Sequence, residues 1–205
     1  MISLAELQQR TTAMQKLIQE KGLDGALFIF PIDVYYFSGT RQNSTLWIPA
    51  EGEPLLLVRK SFSRAKEDSP IADIRPFPAS KDFPGLFGEQ IKKIGFTFDV
   101  APVQQLNYYS KLLPGSEFVD ISAANREVRS VKSSFELQQI KVCGDAVSSV
   151  FLQVPDFLKE GMREIDLSAE FEYRLRKAGH EGIVRMRAYN QELSCLLYTS
   201  PSPRD

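Results

Sequence analysis

Residues 22–40, GLDGALFIFPIDVYYFSGT, and 41–60, RQNSTLWIPAEGEPLLLVRK, lay out the centre of an α/β layer. Ala26 to Phe30 is a short unbroken apolar run between Gly25 and Pro31. That is the pattern of a strand covered on both faces, which an open sheet with helices on either side requires. A Tyr-rich turn through Tyr35, Tyr36 and Phe37 closes on Ser38-Gly39. Thr45 to Pro49 and Leu55 to Val58 then flank Ala50-Glu51-Gly52-Glu53, whose turn chemistry suits an antiparallel hairpin.

Before this stretch, Ser3 and Glu6 have the form of a capping box, and Leu4, Leu7, Met14, Leu17 and Ile18 recur near helical spacing as far as Gly22. After it, Ser61 to Asp68 reads as a surface helix and Ile71 to Phe77 as an edge strand, since Pro76 and Pro78 cannot donate to a ladder. Phe83 to Lys93 is expected to be helical, Ile94 to Phe98 a strand, Val103 to Leu113 a helix and Glu117 to Val119 a last strand. Alternating helices and strands place residues 1–125 in one α/β domain.

From there the pattern changes. Ser133 and Glu136 form a second capping box, opening a helix of some six turns marked by Leu137, Ile140, Cys143 or Gly144, Val147, Val150, Phe151 and Val154. Cys143 is expected to be buried on it. Another helix runs from about Arg163 to Ala178, stopped by Gly179, and Ile183 to Ala188 alternates like a strand. Two helices and one strand cannot bury these apolar faces alone, so residues 126–194 read as the start of an unfinished second domain. Residues 195–205, CLLYTSPSPRD, continue neither pattern and resemble a translated sequencing-library adapter. They are expected to be a non-native tail.

Bulk composition narrows the function classes. The 205 residues carry 25 basic and 26 acidic side chains, so no electrostatic draw toward nucleic acid or an anionic membrane is expected. No apolar run approaches the roughly 20 residues of a spanning helix, and the amphipathic N-terminus lacks a leader pattern, which makes the cytoplasm the expected compartment. Two cysteines, Cys143 and Cys195, make no disulfide framework or metal pair.

The run from Gly22 to Thr40 together with LWIPAEGEPLLLV resembles the N-terminal domain of the creatinase, prolidase and Xaa-Pro aminopeptidase family, with Asp33 where that family often has Asn. VRSVKSSFELQQIKVCGDAVSSVF and EGMREIDLSAEFEYRLRKAGHEGI resemble the family's junction into its second domain. The resemblance implies a creatinase-like α/β domain, with a mixed sheet flanked by helices, followed by a truncated α+β pita-bread domain. It also implies a peptidase acting on Xaa-Pro bonds as a homodimer, on proline-containing peptides. Two divalent ions, Mn, Co or Zn, would be held by two Asp, one His and two Glu of the full-length protein, and none of that motif set occurs in this chain. The chain by itself is therefore expected to have no catalytic residues, no metal ligands and no activity. A non-catalytic peptide- or protein-binding module and a creatinase-type hydrolase are the alternatives within the same fold.

Individual residues add little chemistry. Tyr36 and Arg41 lie at the rim of the Tyr-rich turn. The resemblance implies that this rim reaches a neighbouring subunit's active site, where the Arg41 fork would take a substrate carboxylate. Asp166 and Glu170 share a helix face, but charged faces are usually solvated. His180, the only histidine, reads as a junction residue, Trp47 as packing, and Arg185 and Arg187 as one charged strand face.

Overall fold

A computed structural model describes residues 2–87 and 91–180, together with the backbone of 184–185 and 192–193. The chain forms two compact units, Met1–Val131 and Lys132–Asp205.

The first unit is built on a six-stranded sheet in the order β4-β3-β2-β1-β5-β6. Its strands are β1 (Gly25–Phe28), β2 (Ser44–Pro49), β3 (Leu55–Val58), β4 (Asp73–Pro76), β5 (Lys93–Phe96) and β6 (Glu117–Asp120). β2 runs antiparallel to both β1 and β3, while the β1–β5, β5–β6 and β3–β4 pairs are parallel, so the sheet is mixed. All four residues of β1 are buried, as a strand covered on both faces must be. Leu27 joins Trp47, Leu57, Ile94, Phe96 and Tyr109 in one core cluster, and on the next residue Phe28 meets the Phe37 ring at 5.0 Å. At Gly25 the approach is closest: a Cβ there would lie 2.3 Å from the Trp47 ring and 2.7 Å from the Ile48 carbonyl. β4 and its Pro76 form one edge of the sheet.

α1 (Leu4–Glu20) is capped by the Ser3 side chain, which accepts from the Glu6 N–H at 3.2 Å, and buries Leu7, Met14 and Ile18. It ends where Gly22 takes a positive φ of 62°, as a helix stop of this kind requires. The Gln15 and Gln19 amides donate to the Pro49, Gly52 and Ala50 carbonyls, tying the β2–β3 hairpin to the helix.

Two local expectations in this unit need correction. The Tyr-rich turn is a helix, α2 (Pro31–Ser38), with Pro31 in its first turn and Gly39 left-handed at its end with φ 80°. Aromatic residues are indifferent helix formers, but burying Val34, Tyr36 and Phe37 on one short helix outweighs propensity. Phe83 to Lys93 is not one helix. It holds only a 3-10 turn at Pro84–Leu86, residues 88–90 lie outside the described residues, and β5 already begins at Lys93. There Phe83 is fully buried against Phe77, Phe87 and Tyr109, so packing rather than helical periodicity places its aromatics.

Besides α3 (Phe62–Asp68) and α4 (Val103–Leu112), the unit ends in a helix the sequence pattern does not announce, α5 (Ser122–Ser130). Asp120 starts it, accepting from the backbone and hydroxyl of Ser122 and from the Phe98 N–H. Burial opposes the Asp120 charge, but these hydrogen bonds outweigh it and hold the carboxyl below its usual range. A boundary at 125 falls inside α5, where Ala124 and Asn125 are buried.

In the second unit, α6 (Ser134–Phe151) opens with the capping box of Ser133 and Glu136, and α7 (Val154–Phe157) and α8 (Glu164–Lys177) follow. Phe151 meets Phe171 at 4.8 Å, and Arg174 bonds Gln153 and stacks on Phe157. Cys143 is exposed rather than buried. Helical spacing marks a face but not what covers it, and Leu137 and Ile140 on the same helix are exposed as well. Val184–Arg185 and Glu192–Leu193 pair antiparallel; Arg187 and residues 194–205 lie outside the described residues. Among the described residues no helix is long and apolar enough to cross a membrane.

Gly25→Ala drives a methyl into the Trp47 ring and the Ile48 carbonyl, and is expected to cost about 1–3 kcal/mol in urea unfolding. The same variant should shift the emission of Trp47, the only tryptophan. Unchanged stability and emission would show that the sheet opens freely at this point.

Candidate functional site: the α2 rim

The end of α2 and the turn through Arg41 are held by side chains from three helices. The Arg10 guanidinium donates to Glu6 at 2.9 Å and to the Tyr36 carbonyl at 2.8 Å, and lies 4.2 Å from the Tyr36 ring centre. Arg129, on α5, lies 5.2 Å from the same ring and donates to Asp33 at 2.9 Å. The Asn125 amide donates to the same Asp33 oxygen at 2.9 Å. Asp33 is completely buried, and a buried carboxylate persists only where donors and a counter-charge meet it.

Past the helix, Gly39 donates to the Tyr35 carbonyl, and the Thr40 hydroxyl donates to Asp68 at 3.2 Å. Ser69 donates to the Ser38 carbonyl, so the rim is anchored to the end of α3. Tyr36 is only 8% exposed and belongs to the packed base of this cluster. Arg41 is exposed, with its guanidinium 5.2 Å from the Tyr35 ring. The two residues singled out from the sequence thus occupy different environments, one under the rim and one on it.

The Glu6–Arg10 pair has the i,i+4 spacing of a helix ion pair, but nothing in the sequence connects Arg10 to Tyr36, or Asn125 and Arg129 to Asp33, because those partners lie far apart along the chain. Asp33 does carry one: it is an acid in an otherwise apolar run, and that placement demands a partner.

The acidic residues of the second unit are engaged separately. Asp166 makes two 2.7 Å bonds to Arg163, whose guanidinium holds the Asp166 carboxyl below its usual range, and Glu170 pairs with Arg174 at 2.8 Å. His180 is half-buried, and its backbone N–H caps α8 through the Leu175 carbonyl. Among the described residues no group of three or more His, Cys, Asp or Glu side chains is placed to hold a metal ion. The two divalent ions that the resemblance implies do not fit these residues.

Asp33→Ala leaves Arg129 and Asn125 facing an empty site and is expected to cost about 2–4 kcal/mol, whereas Asp33→Asn, which keeps an acceptor, should cost about half as much. Urea denaturation followed by Trp47 fluorescence reads both. Equal costs would mean that the charge accounts for the whole effect and the retained acceptor adds nothing, and an Asp33→Asn variant as stable as the parent would mean that the charge contributes nothing.

A sequence model of the creatinase/prolidase N-terminal domain matches residues 10–131. An Xaa-Pro dipeptidase of Pyrococcus furiosus is 25% identical over 178 residues, covering 85% of this chain and 50% of that protein. An uncharacterized peptidase of Bacillus subtilis, YqhT, is 23% identical over 81% of this chain and 48% of its own length. The chain thus spans about half the length of the curated relatives it matches. Among solved structures, the dipeptidase PepE of Mycobacterium ulcerans superposes with a TM-score of 0.75 at 21% identity, covering 89% of this chain and 52% of that one. The X-Pro aminopeptidase of Thermotoga maritima does so with a TM-score of 0.68 at 24% identity, over 85% and 51%. These likenesses establish the same mixed-sheet fold, and with the family match over most of the first unit they show that this chain belongs to the creatinase/prolidase family.

Proposed function

We propose that the chain is the N-terminal portion of a cytoplasmic Xaa-Pro aminopeptidase- or dipeptidase-like metallopeptidase, and that its first unit serves dimerisation and substrate access rather than bond cleavage. The observation that carries this reading is the family match over residues 10–131 in a chain covering half of an Xaa-Pro dipeptidase. Hydrolysis would belong to the longer protein, with two divalent ions, Mn, Co or Zn, bound outside this chain. Carboxylate-rich ligation favours the harder metals.

In a homodimer the rim would face the neighbouring subunit's site. Arg41, exposed on an anchored turn, would offer its donors to the carboxylate of a proline-containing peptide, and Tyr36 would act from beneath by holding the turn in place. A guanidinium fork matches a carboxylate in plane and charge.

The test is hydrolysis of Xaa-Pro dipeptides with added Mn, by this chain and by a version extended to the full length of its relatives. Turnover is expected from the extended protein alone, and Arg41→Ala in it should raise KM about tenfold with little change in kcat. Metal-dependent turnover by this chain would overturn the placement of the chemistry. Peptide binding without hydrolysis by the extended protein would replace the peptidase with a binding module.

A further inference from the structure

Arg59 follows β3 at the end of the sheet and is held by aromatic side chains. Its guanidinium lies 3.4 Å from the centre of the Phe77 ring and 5.7 Å from that of Tyr108, and it donates to the Tyr109 hydroxyl at 3.2 Å. That hydroxyl is fixed in turn, 2.7 Å from the Thr45 hydroxyl, and both Tyr109 and Thr45 are 1% exposed. The Arg59 backbone is pinned as well, its N–H donating to the Asn43 carbonyl at 2.8 Å.

The environment sets this arginine apart. Arg10, Arg75, Arg126, Arg129, Arg163 and Arg174 each reach a carboxylate. Arg59 has none among the described residues: its neighbours are hydroxyls and ring faces. Burial works against its charge, but the hydroxyls of Tyr109 and Tyr108 outweigh it and keep the group above the usual arginine value. A guanidinium carries five N–H donors in one plane, so several remain after the tyrosines are served. Stacking on Phe77 fixes that plane, and fixing it in advance lowers the entropy lost when a ligand binds.

We propose that Arg59, held by Phe77, Tyr108 and Tyr109, is a binding site for a single carboxylate group presented by a peptide or protein ligand. One guanidinium with a free planar edge matches a monoanion in charge and in its two parallel hydrogen bonds. The site lies on the first unit, is distinct from the α2 rim, and stands whether or not the longer protein is a peptidase.

The test is an NMR titration of the purified chain, following the Arg59 side-chain Nε–H. The probes are sodium acetate, sodium phosphate at equal ionic strength, N-acetyl-Ala-Ala with a free C-terminus, and N-acetyl-Asp-amide. The expected result is a saturable Arg59 shift with acetate that is at least about fivefold weaker in Arg59→Lys and about threefold weaker in Tyr109→Phe. Trp47 emission checks that both variants remain folded. A stronger response to the C-terminal carboxylate than to the Asp side chain assigns a peptide terminus as the source, and the reverse assigns an acidic side chain. A linear, non-saturating shift, a preference for phosphate over acetate, or unchanged binding in Arg59→Lys would overturn the site.

Discussion

A carboxylate with no access to water has to be met by charge and donors inside the protein, and at Asp33 that requirement ties the first unit together. The residues that satisfy it, Asn125 and Arg129, lie on α5, while Asp33 lies on the helix that follows β1. Those residues can meet only if β5 and β6 are already paired beside β1, since α5 begins where β6 ends. The interaction therefore reports on the β1–β5–β6 half of the sheet. Its net worth in stability is modest, because desolvating two charges offsets most of their attraction. Its weight lies in specificity: a fold that left Asp33 without Arg129 would bury an unpaired charge.

The same cluster gives the α2 rim its definition. Arg10 and Arg129 both lie against the Tyr36 ring, and Arg10 also takes the Tyr36 carbonyl, so helix α2 is gripped by side chain and by backbone. An exposed group such as Arg41 gains from a rigid base, because a side chain on a fixed turn loses less freedom when it engages a ligand. Sequence, packing and proposed role connect here: an apolar helix with one acid becomes a clamped helix, and the clamped helix presents an arginine.

Much of this layout is legible in the amino-acid pattern. β1 shows as an unbroken apolar run, the β2–β3 hairpin as two runs around Gly52, and α6 as a capping box, because each of those signals is local. The failures share a cause. α2 reads as a turn because its aromatic residues have weak helix propensity, and only their burial makes the helix; α5 goes unseen because its start is an Asp120–Ser122 interaction rather than a capping box. Cys143 reads as buried because periodicity identifies an apolar face without saying whether anything lies on it. In the rim, Tyr36 and Arg41 are visible as residue types at a turn, but the Arg10–Tyr36–Arg129–Asp33 arrangement joins positions far apart in the chain, and no local pattern encodes it.

α5 is the last element of the first unit, locked to the β1 side by Asp33, rather than the first element of the second unit. Native-state hydrogen exchange of the whole chain, read peptide by peptide by mass spectrometry, tests it directly. The α5 amides, residues 122–130, are expected to exchange only through the same global opening as those of β1 and β5, and more slowly than those of α6. Exchange of α5 in step with α6, while β1 stays protected, would contradict it.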